Sequence, residues 1–390
     1  MDWRRRLPEG MKDKLFREAA GTYELEKNIN QLLEKRGYQR IETPVLEYDE
    51  VFQKGAAEAV HYRFFEGEQL VTLRPDMTLP VGRVVATTGV QLPLKLSYSG
   101  KVFRKYQEGM GLPNERLQAG VELLGFPSLK AELEAIQMAL QVTQQLQIND
   151  WHLELGHAKI YETLIQELEL DQRQEVIFRE ELLNKSFSGF AAFAENQPLA
   201  WQPFLRALPE LFGPAELILT KALALVPPTS QLKEAFQELQ TLVALLVSQK
   251  DLTLTVDLGL VPAMRYYTGI LFNGYADQVP ETIFQGGRYD HLLEEFGGAP
   301  VAAVGLALNL DSLVEWQYRT GNFYQLPQKK ILIHSELAFW QQAEALQQAT
   351  PNSQLSLFED IEAAKAYAAA WHYEEVWQVA AVLTKWQVAK

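Results

Sequence analysis

The sequence predicts an α+β fold: an antiparallel sheet flanked by helices, with a helical insertion and a small C-terminal α/β domain. Three observations carry this. Period-two apolar segments follow one another with little helix between them, which favours antiparallel over doubly wound pairing. The span from about residue 171 to 249 is almost wholly helical in pattern, punctuated by Pro198, Pro203, Pro209, Pro214, Pro227 and Pro228. Beyond Gln325 to Lys330 the composition changes and short strands alternate with helices. The expected domains are 1–325, with the insertion at about 171–249, and 329–390. A chain of 390 residues, 47% hydrophobic, is long enough for one large core and a second small one.

From Lys12 to Arg36, Leu15, Phe16, Ala19, Tyr23, Ile29, Leu32 and Leu33 recur at mostly helical spacing, and Gly37 stands where a C-terminal cap belongs. Tyr38 to Tyr48 reads as extended and is broken by Pro44, which cannot donate to a ladder and so belongs at an edge or a strand end. Strands are predicted at Gln69–Leu73, at Leu94–Val102 and at Arg116–Leu124. In the second of these, Leu94, Leu96, Tyr98, Gly100 and Val102 share a face. Leu129–Leu146 reads as a helix. After the insertion, strand pattern returns at Leu252–Leu258, Gly269–Tyr275, Thr282–Gln285 and Pro300–Leu308, so the sheet is completed from both sides of the insertion. In the last domain the strands expected are Lys330–His334, Ser353–Phe358 and Glu374–Ala380.

The net charge of -14 argues against broad electrostatic capture of nucleic acid, whose phosphates require Lys and Arg. Cysteine is absent, which removes disulfides, thiolate nucleophiles and Cys-based metal sites. Arg4, Arg5 and Arg6 are followed by no apolar run, unlike a signal peptide. No stretch approaches the roughly 18 uninterrupted apolar residues of a membrane span. A protein of the cytoplasm is expected, with no membrane contact, no metal and no cofactor.

Four polar segments are candidate walls of one cavity. In Arg116–Leu124, alternation puts Leu117, Ala119, Val121 and Leu123 on a core face and Gln118, Gly120 and Glu122 on the other, where the glycine leaves open volume between two acceptors for something carrying donors. In Leu73-Arg74-Pro75-Asp76-Met77-Thr78, Asp76 sits at the start of a helix running to Thr87. Met264-Arg265-Tyr266-Tyr267-Thr268-Gly269 sets two phenols beside a glycine. Gln285-Gly286-Gly287-Arg288-Tyr289-Asp290 combines a strand end, two permissive glycines and a polar helix start. Each has a plainer reading: a solvated sheet face, a helix cap, a core tyrosine beside a surface one, and a strand-to-helix turn.

Taken in order, these segments resemble the class II histidyl-tRNA synthetase family over roughly Pro8 to Leu313. Ile41-Glu42-Thr43-Pro44-Val45-Leu46-Glu47 resembles the motif 1 strand of that family's dimer interface. Phe103-Arg104 with Gln118-Ala119-Gly120-Val121-Glu122-Leu123-Leu124-Gly125 resembles motif 2, and Tyr266-Tyr267-Thr268-Gly269 and Gly286-Gly287-Arg288-Tyr289-Asp290 resemble the two histidine signatures. The resemblance implies a class II aminoacyl-tRNA synthetase-like sheet of six antiparallel strands. It also implies a histidine-binding pocket on Asp76, Thr78, Arg104, Gln118, Glu122, Tyr266, Tyr267 and Tyr289. There Asp76 and Glu122 would receive ammonium or imidazole donors, the phenols would orient the ring and Arg104 would face the carboxylate. Synthetases usually carry Glu where this chain has Asp76, so its carboxylate reaches about one bond less.

The chain departs from the synthetase pattern where adenylation needs positive charge on a triphosphate. The motif 2 loop positions fall on Tyr106, Leu112, Asn114 and Arg116. The histidine-specific arginine is replaced by Pro262, followed by Ala263 and Met264, and the motif 3 Gly-x-Glu-Arg becomes Asn309-Leu310-Asp311-Ser312. Losing one well-placed charged donor costs about 3 kcal/mol, and three such sources are missing here. Lys101, Lys105 and Arg265 are the cations left to compensate. No catalytic residue is assigned.

A histidine pocket without ATP chemistry resembles the regulatory subunits of ATP phosphoribosyltransferase, a branch of synthetase paralogues. That resemblance implies a non-catalytic partner of a short-form catalytic subunit, required for the first step of histidine biosynthesis, binding L-histidine for feedback inhibition and forming a homodimer within a hetero-oligomer. The alternatives are an active or divergent histidyl-tRNA synthetase, and a histidine- or tRNA-sensing paralogue with another partner. The C-terminal domain carries Glu336, Glu344, Glu359, Asp360, Glu362, Glu374 and Glu375 against few lysines, which favours a role without RNA.

Overall fold

A computed structural model describes residues 3–53, 61–106, 112–227, 230–249, 252–262, 264 and 266–388. The chain forms two compact units, one ending at Phe323 and the other beginning at Tyr324.

The larger unit begins with α1 (Phe16–Lys35), four residues later than apolar spacing suggests, because Leu15 is extended and Phe16 has φ +44. Its buried stripe of Leu25, Ile29 and Leu33 joins the main core, and Gly37 follows at φ +81. Pro44 lies between two short strands, β1 (Gln39–Arg40) and β2 (Leu46–Tyr48). β3 (Arg63–Glu66) gives no clear signal in the sequence; it pairs with β4 (Gln69–Leu73) to complete a small antiparallel sheet, β2-β4-β3. α2 (Thr78–Thr88), β5 (Leu94–Phe103), β6 (Glu115–Leu124) and α3 (Lys130–Gln145) follow the apolar periodicity to within a residue or two.

β7 (Trp151–His157) and α4 (Ala158–Glu167) are not legible in the sequence, because three alternating apolar positions blend into helical pattern on both sides. The insertion folds as α5 (Gln172–Leu183), α6 (Phe187–Glu195), α7 (Gln202–Ala207), a short strand β8 (Phe212–Pro214), α8 (Ala215–Leu225) and α9 (Leu232–Leu246). It is not wholly helical, since β8 joins the main sheet. Then come β9 (Thr253–Asp257), β10 (Ile270–Ala276), β11 (Thr282–Arg288), β12 (Ala303–Asn309) and α10 (Leu310–Thr320).

The main sheet runs β1-β5-β6-β12-β11-β10-β7-β9-β8. The six strands from β5 to β7 are antiparallel throughout, while β1–β5 and β7–β9 are parallel. A purely antiparallel sheet is therefore too simple. Parallel neighbours need a long crossover, and the helical insertion between β7 and β9 is that crossover. One face of the sheet carries the main core, where α1 and α3 pack with the insertion; the other carries a second cluster of Leu96, Tyr98, Val102, Met77 and Tyr289 under α2. Among the described residues, no helix is long and apolar enough to cross a membrane.

The smaller unit contains β13 (Ile331–Ser335), α11 (Trp340–Ala349), β14 (Ser353–Leu355), α12 (Ile361–Ala370), β15 (Glu375–Val379) and β16 (Thr384–Gln387). β16, exposed along most of its length, has no apolar alternation that would mark it in the sequence.

The Gly286-Gly287-Arg288 segment continues β11 and is not a turn. Its arginine is structural: the buried guanidinium makes a two-pronged contact with Glu132 of α3, Nε to Oε1 at 2.7 Å and Nη2 to Oε2 at 2.7 Å. Removing one partner strands the other charge away from water. Arg288→Met is expected to lower unfolding free energy by roughly 3–5 kcal/mol in urea titrations. The Arg288→Met/Glu132→Leu double variant should recover most of it, and a double variant as unstable as the single one would argue against this pairing.

Candidate functional site

Across the sheet, register aligns Glu122 of β6 with Gly305 of β12, and Gly305 with Gly287 of β11. A side chain at Gly305 would collide with Glu122 Oε2, so this glycine makes room for the carboxylate. Glu122 is wholly buried. Its Oε1 accepts a hydrogen bond from Thr78 Oγ1 at 2.8 Å, and its Oε2 accepts a very short one from the Tyr289 hydroxyl. Thr78 opens α2, and its hydroxyl also meets the phenols of Tyr98 and Tyr266. Tyr267 hydrogen-bonds to Tyr266, and the Tyr266 ring stands edge-on to Tyr289 at 5.6 Å between centroids.

Asp76 lies on the turn before α2. Its Oδ1 accepts from the Leu79 amide at 2.9 Å, which is the cap expected from the sequence. Its Oδ2 is buried without a partner. Buried polar atoms are nearly always hydrogen-bonded, so this oxygen marks a position where a donor belongs. Burial raises the pKa of both carboxyls, taking that of Glu122 to about 8, and the nearby Asp76 adds to the rise at Glu122. Burial also pushes Tyr98, Tyr266, Tyr267 and Tyr289 up, so all four phenols stay neutral.

Seven of the eight residues expected to line a pocket are thus brought together: Asp76, Thr78, Arg104, Glu122, Tyr266, Tyr267 and Tyr289. Arg104 stands at the rim, where its Nε donates to the Pro75 carbonyl at 2.7 Å and its charge offsets the burial of Asp76. Gln118 lies on the same face of β6, paired with Gly100 and Asn309, but hydrogen-bonds to none of the others among the described residues.

The structure corrects one expectation. The space over Gly120 is not open, because Tyr98 is paired with Gly120 across the β5–β6 hairpin and its ring and hydroxyl fill that space. Tyr98 is thus a wall of the cluster that sequence reading missed. The available signal was a bulky aromatic facing a glycine across two antiparallel strands.

Two cations near the hairpin are engaged. Arg116 pairs with Glu281 at 2.5 Å and stacks on Tyr106, and Lys101 pairs with Glu115 at 2.5 Å. The Ser312 amide donates to Asn309 Oδ1, and Lys105 is exposed. Ala263 and Arg265 lie outside the described residues.

A family model described as histidyl-tRNA synthetase matches residues 10–313. An ATP phosphoribosyltransferase regulatory subunit of Listeria monocytogenes is 48% identical over 378 residues, 96% of each chain. The chain belongs to this family of synthetase-like regulatory subunits. A Streptococcus gordonii protein of the same description is 40% identical over 310 residues, which cover 79% of this chain and 93% of that one. A solved structure from Bacillus halodurans, titled as an ATP phosphoribosyltransferase regulatory subunit/histidyl-tRNA synthetase, superposes with a TM-score of 0.81 at 25% identity, covering 97% of this chain and 99% of the other.

The raised Glu122 carboxyl has a defined effect on stability. A folded-state value of about 8 against the ordinary 4.5 means that the folded protein holds this proton more tightly than the unfolded chain does. The resulting stabilisation is complete below about 4.5 and is lost as pH rises to about 8. In paired thermal melts, Glu122→Gln should therefore gain on wild type as pH is raised from 5 to 8, then level off. A difference that stays constant, or drifts the other way, would exclude a protonated Glu122.

Proposed function

We propose that this chain is the non-catalytic regulatory subunit of an ATP phosphoribosyltransferase, that the Asp76–Glu122 cluster binds L-histidine, and that this binding inhibits the first step of histidine biosynthesis. The observation that carries the reading is the partnerless, buried Asp76 Oδ2 beside a second buried carboxyl and a ring of neutral phenols. Such a cluster suits a ligand with cationic or N–H donors and an aromatic ring. Arg104 at the rim suits its carboxylate. For a triphosphate, the pattern's arginine positions carry Pro262 and Ser312, and Arg116 and Lys101 are paired with acids.

The partner on this reading is a short-form catalytic subunit in the cytoplasm. Histidine must bind the inactive arrangement of the complex more tightly than the active one, by about 1–3 kcal/mol for ordinary allostery. A homodimer would form through the motif 1 strand, where Val45, Leu46 and Tyr48 are exposed beside Phe64 and Phe65 of the same small sheet.

Mixing the purified chain with a short-form catalytic subunit should raise phosphoribosyl-ATP formation, and histidine should suppress it; a rate unchanged by the chain would refute the assignment. Histidine-dependent exchange of pyrophosphate into ATP should be absent, and exchange at a synthetase-like rate would favour an active synthetase instead. In calorimetry, Asp76→Asn is expected to weaken histidine binding by about tenfold or more, through loss of a charged acceptor. Unchanged affinity would move the ligand elsewhere.

A further inference from the structure

The smaller unit carries a surface that the pocket leaves unexplained. Its strands run β14-β13-β15-β16, the first three parallel. Ala343 of α11 packs with Ile333 and Val379, while Ala364 and Ala368 of α12 pack with Leu332 and Val376, so the two helices cover opposite faces. The connections therefore diverge between β13 and β15. In open α/β sheets, ligands bind outside the carboxyl ends of the strands at such a point.

Register sets Ser335 beside Val379, and the Ser356 amide donates to the Ile333 carbonyl. The loops after β13, β14 and β15 thus emerge at one edge. They expose Leu337 (90%), Leu357 (84%) and Val382 (75%), with Phe358 and Leu383 partly exposed. At the base of the first loop Ser335, 9% exposed, has a buried hydroxyl with no partner. Clustered apolar exposure beside an unsatisfied polar group marks a surface made to be covered.

The chemistry of the occupant follows from charge. Residues 335–339, 356–360 and 380–383 contain Glu336, Glu359 and Asp360 but no lysine or arginine. The next lysine, Lys385, lies over the Trp377 ring at 3.5 Å. Phosphates are disfavoured at such an edge, whereas apolar side chains flanked by basic ones complement it.

We propose that the carboxyl edge of this small sheet docks a partner protein through an amphipathic segment, leucine- or aromatic-bearing and flanked by lysine or arginine. The test uses the full chain and three labelled probes followed by fluorescence anisotropy: a short leucine-bearing helical peptide with lysine flanks, the same peptide with glutamate flanks, and a short single-stranded RNA. The lysine-flanked peptide should bind about tenfold more tightly than the other two. Leu337→Glu/Leu357→Glu, at exposed positions, should weaken it by about tenfold. Glu336→Lys/Glu359→Lys should shift preference toward the glutamate-flanked peptide. Equal affinity for both peptides, indifference to both double variants, or tighter binding of the RNA would overturn the proposal.

Discussion

A carboxyl group taken wholly out of water is the constraint around which this molecule is organised. Isolated in an apolar interior, a charged Glu122 would be prohibitively unstable. The protein answers in three ways. Gly305 makes room across the sheet, Thr78 and Tyr289 donate to the two oxygens, and burial favours a bound proton. Thr78 is in turn fixed as the first residue of α2, and α2 is held by the Asp76 cap. One buried acid therefore sets the position of a helix, a strand pair and four phenols. The second acid, Asp76, uses one oxygen for the helix cap and buries the other beside the cluster.

Much of this was legible in the sequence, because the determining patterns are local. Alternation in Arg116–Leu124 placed Gln118, Gly120 and Glu122 on one face, and the helix start after Pro75 located Asp76. The missed parts depend on partners distant in sequence. Nothing near Gly120 announces that Tyr98 will fill its space, since that follows from cross-strand register. Gly286 and Gly287 read as turn residues but serve as flat positions in a crowded strand, where a side chain would strike neighbouring backbone oxygens. The parallel edges were invisible for a similar reason: whether β9 joins β7 in parallel depends on how the insertion between them returns.

The lost nucleotide chemistry is visible as neutralisation as well as substitution. A guanidinium remains at Arg116, but Glu281 and the Tyr106 ring occupy it, and Lys101 is matched by Glu115. Among the described cations near the hairpin, Arg116 and Lys101 are each matched by an acid. That neutralisation sets this site apart from one equipped to activate an amino acid. It also explains why fold similarity to synthetases extends over nearly the whole chain without implying their reaction.

The room at Gly305 has a consequence for how this protein can drift. The three atoms nearest to a single methyl there belong to the side chains of Glu122 and Tyr289, so the first groups to give way are side chains. The carboxyl would have to leave its seat while the sheet stays paired. If the cluster senses the end product as proposed, one small replacement would deafen the subunit without dismantling it, and a cell carrying it would overproduce.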